Sequence, residues 1–122
     1  MFAMTMTKSD LAYAMSMINR YCHNSNSTHV AAVQRIFRYI QSTLKLGITY
    51  SPPAVNSVYL NFFEYSDADW AGAVDGREST RAYIFFIAGG PVSWCSKRQD
   101  TVALSSCESE YYALSEAGKE AI

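Results

Sequence analysis

Two apolar runs on either side of a glycine pair restrict this chain more than any other feature. They are Ala82-Tyr83-Ile84-Phe85-Phe86-Ile87 and Val92-Ser93-Trp94-Cys95-Ser96, with Gly89-Gly90 and Pro91 between them. A two-residue hairpin turn needs φ > 0 at both central positions, which glycine accepts without a Cβ clash, so Gly89-Gly90 is read as that turn. The run 82–87 is apolar on both faces and is placed in the sheet interior. Pro91 opens the following strand, a position where little ladder bonding is lost. Residues 58–66, rich in aromatic and β-branched side chains, supply a third antiparallel strand. Residues 71–80 read as a loop and 97–100 as a polar connector. Ser105 followed by Glu108 has the spacing of a capping box, so a helix runs from there to the end of the chain.

The first fifty residues show a different period. Thr7-Lys8-Ser9-Asp10 reads as a helix start, with Thr7 as cap, and Leu11, Met15, Ile18 and Cys22 recur on one face. After a polar break at 23–27, Ser27 or Thr28 can cap a second helix. Its apolar stripe is Val30, Val33, Phe37, Ile40 and Leu44, with Gly47 as the stop. Ile48-Thr49-Tyr50 suggests a short strand closed by Pro52-Pro53. The expected architecture is therefore α+β: an N-terminal helical pair over residues 1–50, then a β-rich domain over 54–122.

With 122 residues the chain suits one modest core, and 49% hydrophobic and 17% charged residues fit a globular protein. No apolar run approaches the roughly 18–20 residues of a membrane span, and the start lacks the pattern of a secretory signal, so no membrane partner is expected. Three widely spaced cysteines (Cys22, Cys95, Cys107) point to free thiols in a reducing, intracellular compartment, cytoplasm or nucleus. Residues 1–50 hold five basic side chains against one acid, whereas 51–122 hold five against ten. A backbone-gripping part beside a cation-binding part would have this asymmetry.

Chemistry is sought first in the carboxylates. Asp67 and Asp69 close an apolar strand, where they are either turn caps or cation ligands. Strand alternation puts Asp67 on the side of Phe63 and Tyr65, and Asp69 joins it only if the strand continues. On the last helix, Glu110, Leu114, Ala117 and Ala121 fall on one stripe, so Glu110 is expected to turn toward the sheet while Glu108 caps. Arg35 and Arg38 lie off the apolar face of the second helix, as a solvated face or a phosphate-contacting surface. Lys97 and Arg98 beside Trp94 are either a solvated turn or a backbone grip. No His sits where a Ser-His-Asp triad would need it, and the glycines form no phosphate-cradling loop.

These residues also carry a family resemblance. Ser66-Asp67-Ala68-Asp69-Trp70-Ala71-Gly72, Arg77-Glu78-Ser79-Thr80, Gly90-Pro91-Val92-Ser93-Trp94-Cys95-Ser96-Lys97-Arg98-Gln99 and Thr101-Val102-Ala103-Leu104-Ser105-Ser106-Cys107-Glu108-Ser109-Glu110-Tyr111 resemble the RNase H-like region of copia-type LTR retrotransposon polyproteins. Asp10-Leu11-Ala12-Tyr13-Ala14 and Ala32-Val33-Gln34-Arg35-Ile36-Phe37-Arg38-Tyr39-Ile40 resemble the segment that precedes it, after the reverse transcriptase. The resemblance implies a partial RNase H-like fold of three antiparallel strands and the first helix. It also implies metal-dependent hydrolysis of RNA in RNA–DNA hybrids, in which one ion activates the water and the other steadies the leaving oxygen.

By motif position Asp67 and Glu110 would be catalytic and metal-binding, toward Mg²⁺ or Mn²⁺. Lys97, Arg98, Arg35 and Arg38 would contact nucleic acid. The family's remaining strands and two further acids lie beyond Ile122. The expectation is thus a half-built site with weak or no catalysis, weak ion and hybrid binding, and an open sheet edge able to self-associate.

Overall fold

The computed structural model describes residues 2–52, 61–73 and 76–122. It forms two compact units, Met1–Thr49 and Tyr50–Ile122.

The first unit is helical. A short helix α1 (Phe2–Met6) precedes a 3-10 turn at Ser9–Leu11, which leads into α2 (Ala12–Asn19). Thr7 does not cap α2: its hydroxyl donates to the Ala3 carbonyl and so closes α1. The longer helix α3 (Ser27–Ser42) is capped by Asn26, one residue before the first of the two expected caps, Ser27 or Thr28. Asn26 Oδ1 accepts the Thr28 and His29 N–H groups, and the Asn26 N–H donates back to His29 Nδ1. Asparagine suits this position because its short side chain reaches the orphan donors of the first turn. At the other end Lys8 Nζ donates to the carbonyls of Thr43 (3.0 Å) and Leu46 (3.2 Å), in the turn just past the helix, where the Leu46 N–H also donates to the Thr43 carbonyl. The helix therefore ends before Leu44 and Gly47. Leu11 is the one buried side chain among the described residues of this unit.

The second unit is an antiparallel sheet of order β1-β2-β3 carrying one helix. Its strands are β1 (Phe62–Asp69), β2 (Thr80–Ile87) and β3 (Gly90–Arg98), and the helix is α4 (Ser106–Glu120). The α+β class and the three antiparallel strands expected from the pattern are present, with β2 central. Residues 58–60 of the expected first strand lie outside the described residues. Ile48, Thr49 and Tyr50 form no strand. Instead the Ser51 N–H donates to the Ala88 carbonyl and the Tyr50 hydroxyl to the Pro91 carbonyl, docking this segment on the hairpin end.

The hairpin turns one residue earlier than expected. Ile87 pairs with Gly90, and the two central residues are Ala88 (φ 53) and Gly89 (φ 78). Ala88 thus holds a left-handed conformation, while Gly90 is a buried strand residue. A bulge follows: Phe85 faces Ser93 but Phe86 faces Pro91, leaving Val92 as the extra residue on an edge strand.

The register sorts the sheet into two faces. One carries Arg81, Tyr83 and Phe85 with their strand partners Ala68, Ser66 and Glu64, and this face receives α4. Arg81 Nη2 meets Glu116 Oε2 at 3.0 Å, and the Ser93 hydroxyl donates to Glu120. Ser109, Ala113 and Ala117 are the buried residues of α4; their small side chains let the helix lie close against the sheet. The opposite face carries Phe63, Tyr65 and Phe86, with Phe63 stacked on Phe86 at 4.9 Å between ring centres.

Candidate functional site

A buried polar clamp at one end of the sheet sets the positions of the candidate acids. Ser79, Gln99 and Ser109 are almost fully buried. The Gln99 N–H donates to the Ser79 carbonyl (2.8 Å), and Gln99 Nε2 donates to the Ser109 carbonyl (2.9 Å). The Ala71 N–H donates to the Ser79 hydroxyl (3.2 Å), and Trp70 Nε1 donates to the Ala103 carbonyl (3.0 Å). These bonds join the loop after β1, the end of β3 and the first turns of α4. Such pairing offsets the cost of burying polar groups, while Gln99 Oε1 is buried with no hydrogen-bond partner among the described residues. As a result the C-terminal end of β1 and the N-terminal end of α4 lie at the same end of the sheet.

The start of α4 is held as its sequence implies. The Ser105 hydroxyl accepts the Glu108 N–H (3.1 Å), and Glu108 Oε2 accepts the Leu104 N–H (2.6 Å), so Glu108 is a cap and not a site residue. Glu110 is placed differently from the expectation: it is exposed, and the buried stripe runs through Ser109, Ala113 and Ala117. Leu114, on the stripe proposed for Glu110, is 53% exposed. The packing face is offset by one residue because small side chains, and not Leu114, sit against the sheet.

β1 continues past Ser66, so Asp67 pairs with Ala82 and Asp69 with Thr80. Both carboxylates therefore project from the face that α4 does not cover, and both are exposed. Asp69 leans back over its turn: a Cβ added at Gly72 would lie 2.0 Å from Asp69 Oδ2, and glycine leaves that space open. Neither Asp67 nor Glu110 makes a hydrogen bond or ion pair among the described residues. The fold brings both to one end of the unit but on opposite sides of it, Asp67 on the open sheet face and Glu110 on the outer flank of α4, so the expected meeting of the two carboxylates is not found. No group of three or more His, Cys, Asp or Glu side chains close enough to hold a metal ion occurs among the described residues.

The basic candidates divide into two kinds. Lys97 and Arg98 belong to β3 and not to a connector. Lys97 lies 4.0 Å from Asp100, and Arg98 lies 3.1 Å from Glu78, so each already faces an acid. Arg35 and Arg38, on α3 of the first unit, are exposed and make no ion pair among the described residues. All three cysteines are free thiols, and burial pushes the Cys95 thiol above its ordinary value. Burial also raises the Tyr83 hydroxyl to about 12, helped by the neighbouring Cys95 and Glu120. No described helix is long and apolar enough to cross a membrane.

Sequence reasoning missed the clamp. Its signal was present in Gln99 at the end of a strand and Ser79 before one, but polar residues at strand ends ordinarily read as connectors.

Comparison with known proteins adds an independent line. No family model and no solved structure matches the chain. The "Secreted RxLR effector protein 161" of Plasmopara viticola is 45% identical over 122 residues, covering 100% of this chain and 83% of that protein. The "Retrovirus-related Pol polyprotein from transposon TNT 1-94" of Nicotiana tabacum is 40% identical over 100% of this chain. That of transposon RE2 of Arabidopsis thaliana is 37% identical over 93% of it. The chain spans 9% and 8% of the length of these two polyproteins. Identity at this level over nearly every residue places the chain in the family of the Plasmopara viticola protein and makes it a homologue of one stretch of copia-type retrotransposon Pol polyproteins.

Proposed function

We propose that the chain is a piece of a retrotransposon Pol polyprotein comprising the start of its RNase H-like domain and the segment before it. In this reading Asp67 and Glu110 are the motif positions of a divalent-ion site, for Mg²⁺ or Mn²⁺. Asp67 lies on the sheet face opposite α4 and Glu110 on the outer flank of α4, so the two do not converge on one ion here and catalysis by this chain alone is absent or weak. The observation that carries the reading is the clamp of Trp70, Ser79, Gln99 and Ser109, which holds the end of β1 and the start of α4 at one end of the sheet. Both carboxylates are exposed and unpaired among the described residues, each on its own side of the unit, so neither alone supplies the several converging oxygens that a hard cation takes. Two carboxylates fall short of the ligand set that fixes a pair of ions about 4 Å apart, which supports weak ion binding and little turnover. Arg35 and Arg38, exposed and without an ion pair among the described residues, are candidates for phosphate contact beside Lys97 and Arg98, which their surface pairings with Asp100 and Glu78 hold only weakly.

The effector name belongs to a relative aligned to the same residues. The polyprotein reading is preferred because it also accounts for the acids on β1 and α4. The decisive experiment incubates the chain with a labelled RNA–DNA hybrid and Mg²⁺ or Mn²⁺, beside Asp67→Asn. Cleavage at or near background is expected. Robust cleavage lost in Asp67→Asn would show a working nuclease, and the claim of a half-built site would fall.

A second reading is a module that self-associates through its sheet edge. It is favoured by the position of β1 at an edge among the described residues and by its exposed Phe63 and Tyr65. Tyr65→Lys is expected to abolish any oligomer formed in this way.

A further inference from the structure

The imidazole of His29 is built into the start of α3 in a way that only one protonation state allows. Its Nδ1 accepts the Asn26 N–H at 3.1 Å. A backbone N–H can only donate, so Nδ1 must offer a lone pair and the ring proton belongs on Nε2. In return Asn26 Oδ1 accepts the Thr28 and His29 N–H groups, at 3.0 and 3.1 Å. The two residues thus form a reciprocal capping box, in which histidine takes the place usually held by Glu or Gln. Tyr21 stacks on the half-buried ring, with 4.3 Å between ring centres and 13° between planes, and so holds its plane in place.

Histidine is the side chain whose charge ordinarily changes between about pH 5 and 8, and this position disfavours the charged form. A proton on Nδ1 turns the acceptor into a second donor facing the Asn26 N–H. The cation would also stand at the positive end of the α3 dipole. No carboxylate is at hand to offset it. The first turn of α3 has no acidic residue, and the chain has none between Asp10 and Glu64. Asp10 is hydrogen-bonded to Tyr39, at the far end of α3. The segment between α2 and α3 brings Arg20, Tyr21, Cys22 and His23 to this end of the unit, and α3 adds no charged side chain before Arg35. Of these groups only the face of Tyr21 favours a cation, against the lost bond and the dipole together. From this we infer that His29 is a proton-sensitive latch, and that mild acidification releases the first turn of α3. The opened turn takes up the proton more readily than the closed one, so stability present at neutral pH is lost as pH falls. Both histidines of the chain lie in the first unit, so the sheet unit should not respond in this range.

NMR of the whole isotope-labelled chain tests the geometry first: at neutral pH the His29 ring should carry its proton on Nε2. Amide hydrogen exchange tests the consequence. From about pH 7.5 to about 5.5, protection of the Thr28, His29 and Val30 amides, corrected for the intrinsic pH dependence of exchange, should fall. The fall should be about fivefold, the size of one capping interaction, while the amides of β2 hold theirs. His29→Gln keeps an acceptor suited to the box and removes the titration, so its protection should not follow pH. Circular dichroism checks that this variant keeps its helices; if it does not, His29→Glu serves in its place. His23→Gln should respond as the parent does. A ring proton on Nδ1 at neutral pH, protection that does not change with pH, an equal fall in His29→Gln, or a fall that disappears in His23→Gln would overturn the inference.

Discussion

Ala88 holds a backbone conformation that its side chain resists. Its φ of 53 is forced because the hairpin closes between Ile87 and Gly90, and a right-handed sheet twist asks for a left-handed residue at both turn positions. A Cβ in that region costs about 1–2 kcal/mol, part of which glycine would return through its looser unfolded chain. Ala88→Gly or Ala88→Asn should therefore raise stability by about 0.5–1 kcal/mol, read as a higher urea midpoint at unchanged slope. Glu116 offers a test by pH. A hydrogen bond from Lys119, with the charge of Arg81 behind it, holds its carboxyl below the ordinary value of 4.5. A group whose folded pKa is depressed contributes stability above its unfolded pKa and loses it as pH falls through the folded one. The second unit should thus weaken as pH drops below about 4.5, and Glu116→Gln should flatten that acid limb in urea titrations at successive pH values. The same substitution removes the counter-charge of buried Arg81, whose Nε and Nη1 have no partner. The variant should accordingly be less stable than the parent at neutral pH.

Among the elements, the ones that announced themselves were those in which apolar side chains do the packing. The run 82–87 is central because it is apolar on both faces, and the Ser105 and Glu108 pair starts α4 where its spacing put it. The errors share a physical origin. α4 packs through Ser109, Ala113 and Ala117, whose small side chains leave little hydrophobic signal, so Leu114 drew the apparent face one residue along and took Glu110 with it. The strands run on through Asp67, Asp69, Lys97 and Arg98 because ladder hydrogen bonds continue after the apolar pattern has stopped. That continuation also aligned Asp67 with Asp69, which alternation alone left open. The Asn26 cap was outranked by two hydroxyl residues that follow it, and nothing local in the sequence links Lys8 to the end of a helix 35 residues later. That long-range cap is open to measurement. Its ammonium donates to the carbonyls of Thr43 and Leu46, just past the negative end of the α3 dipole. Lys8→Met keeps the stem and removes the donors, and should cost the first unit about 1 kcal/mol, seen as a lower midpoint of its helical melting.

The two units of the molecule are unequal in what holds them. The second has Phe85, Ala103, Ala113 and Ala117 buried around a polar clamp that is hydrogen-bonded except at Gln99 Oε1, whereas the first has Leu11 alone among its described residues. Local stability follows buried apolar area and protected hydrogen bonds, so the units should not open together. The first relies on end-capping by Asn26 and Lys8 and on the hydrogen bond of Tyr39 to Asp10, which also raises the tyrosine above its ordinary pKa. Helices of 8 and 16 residues with so little core are marginal in water. Amide hydrogen exchange followed by mass spectrometry should accordingly show α2 and α3 exchanging well before β2 and α4. Uniform protection across both units would mean that the first unit draws its stability from something other than its own core and caps.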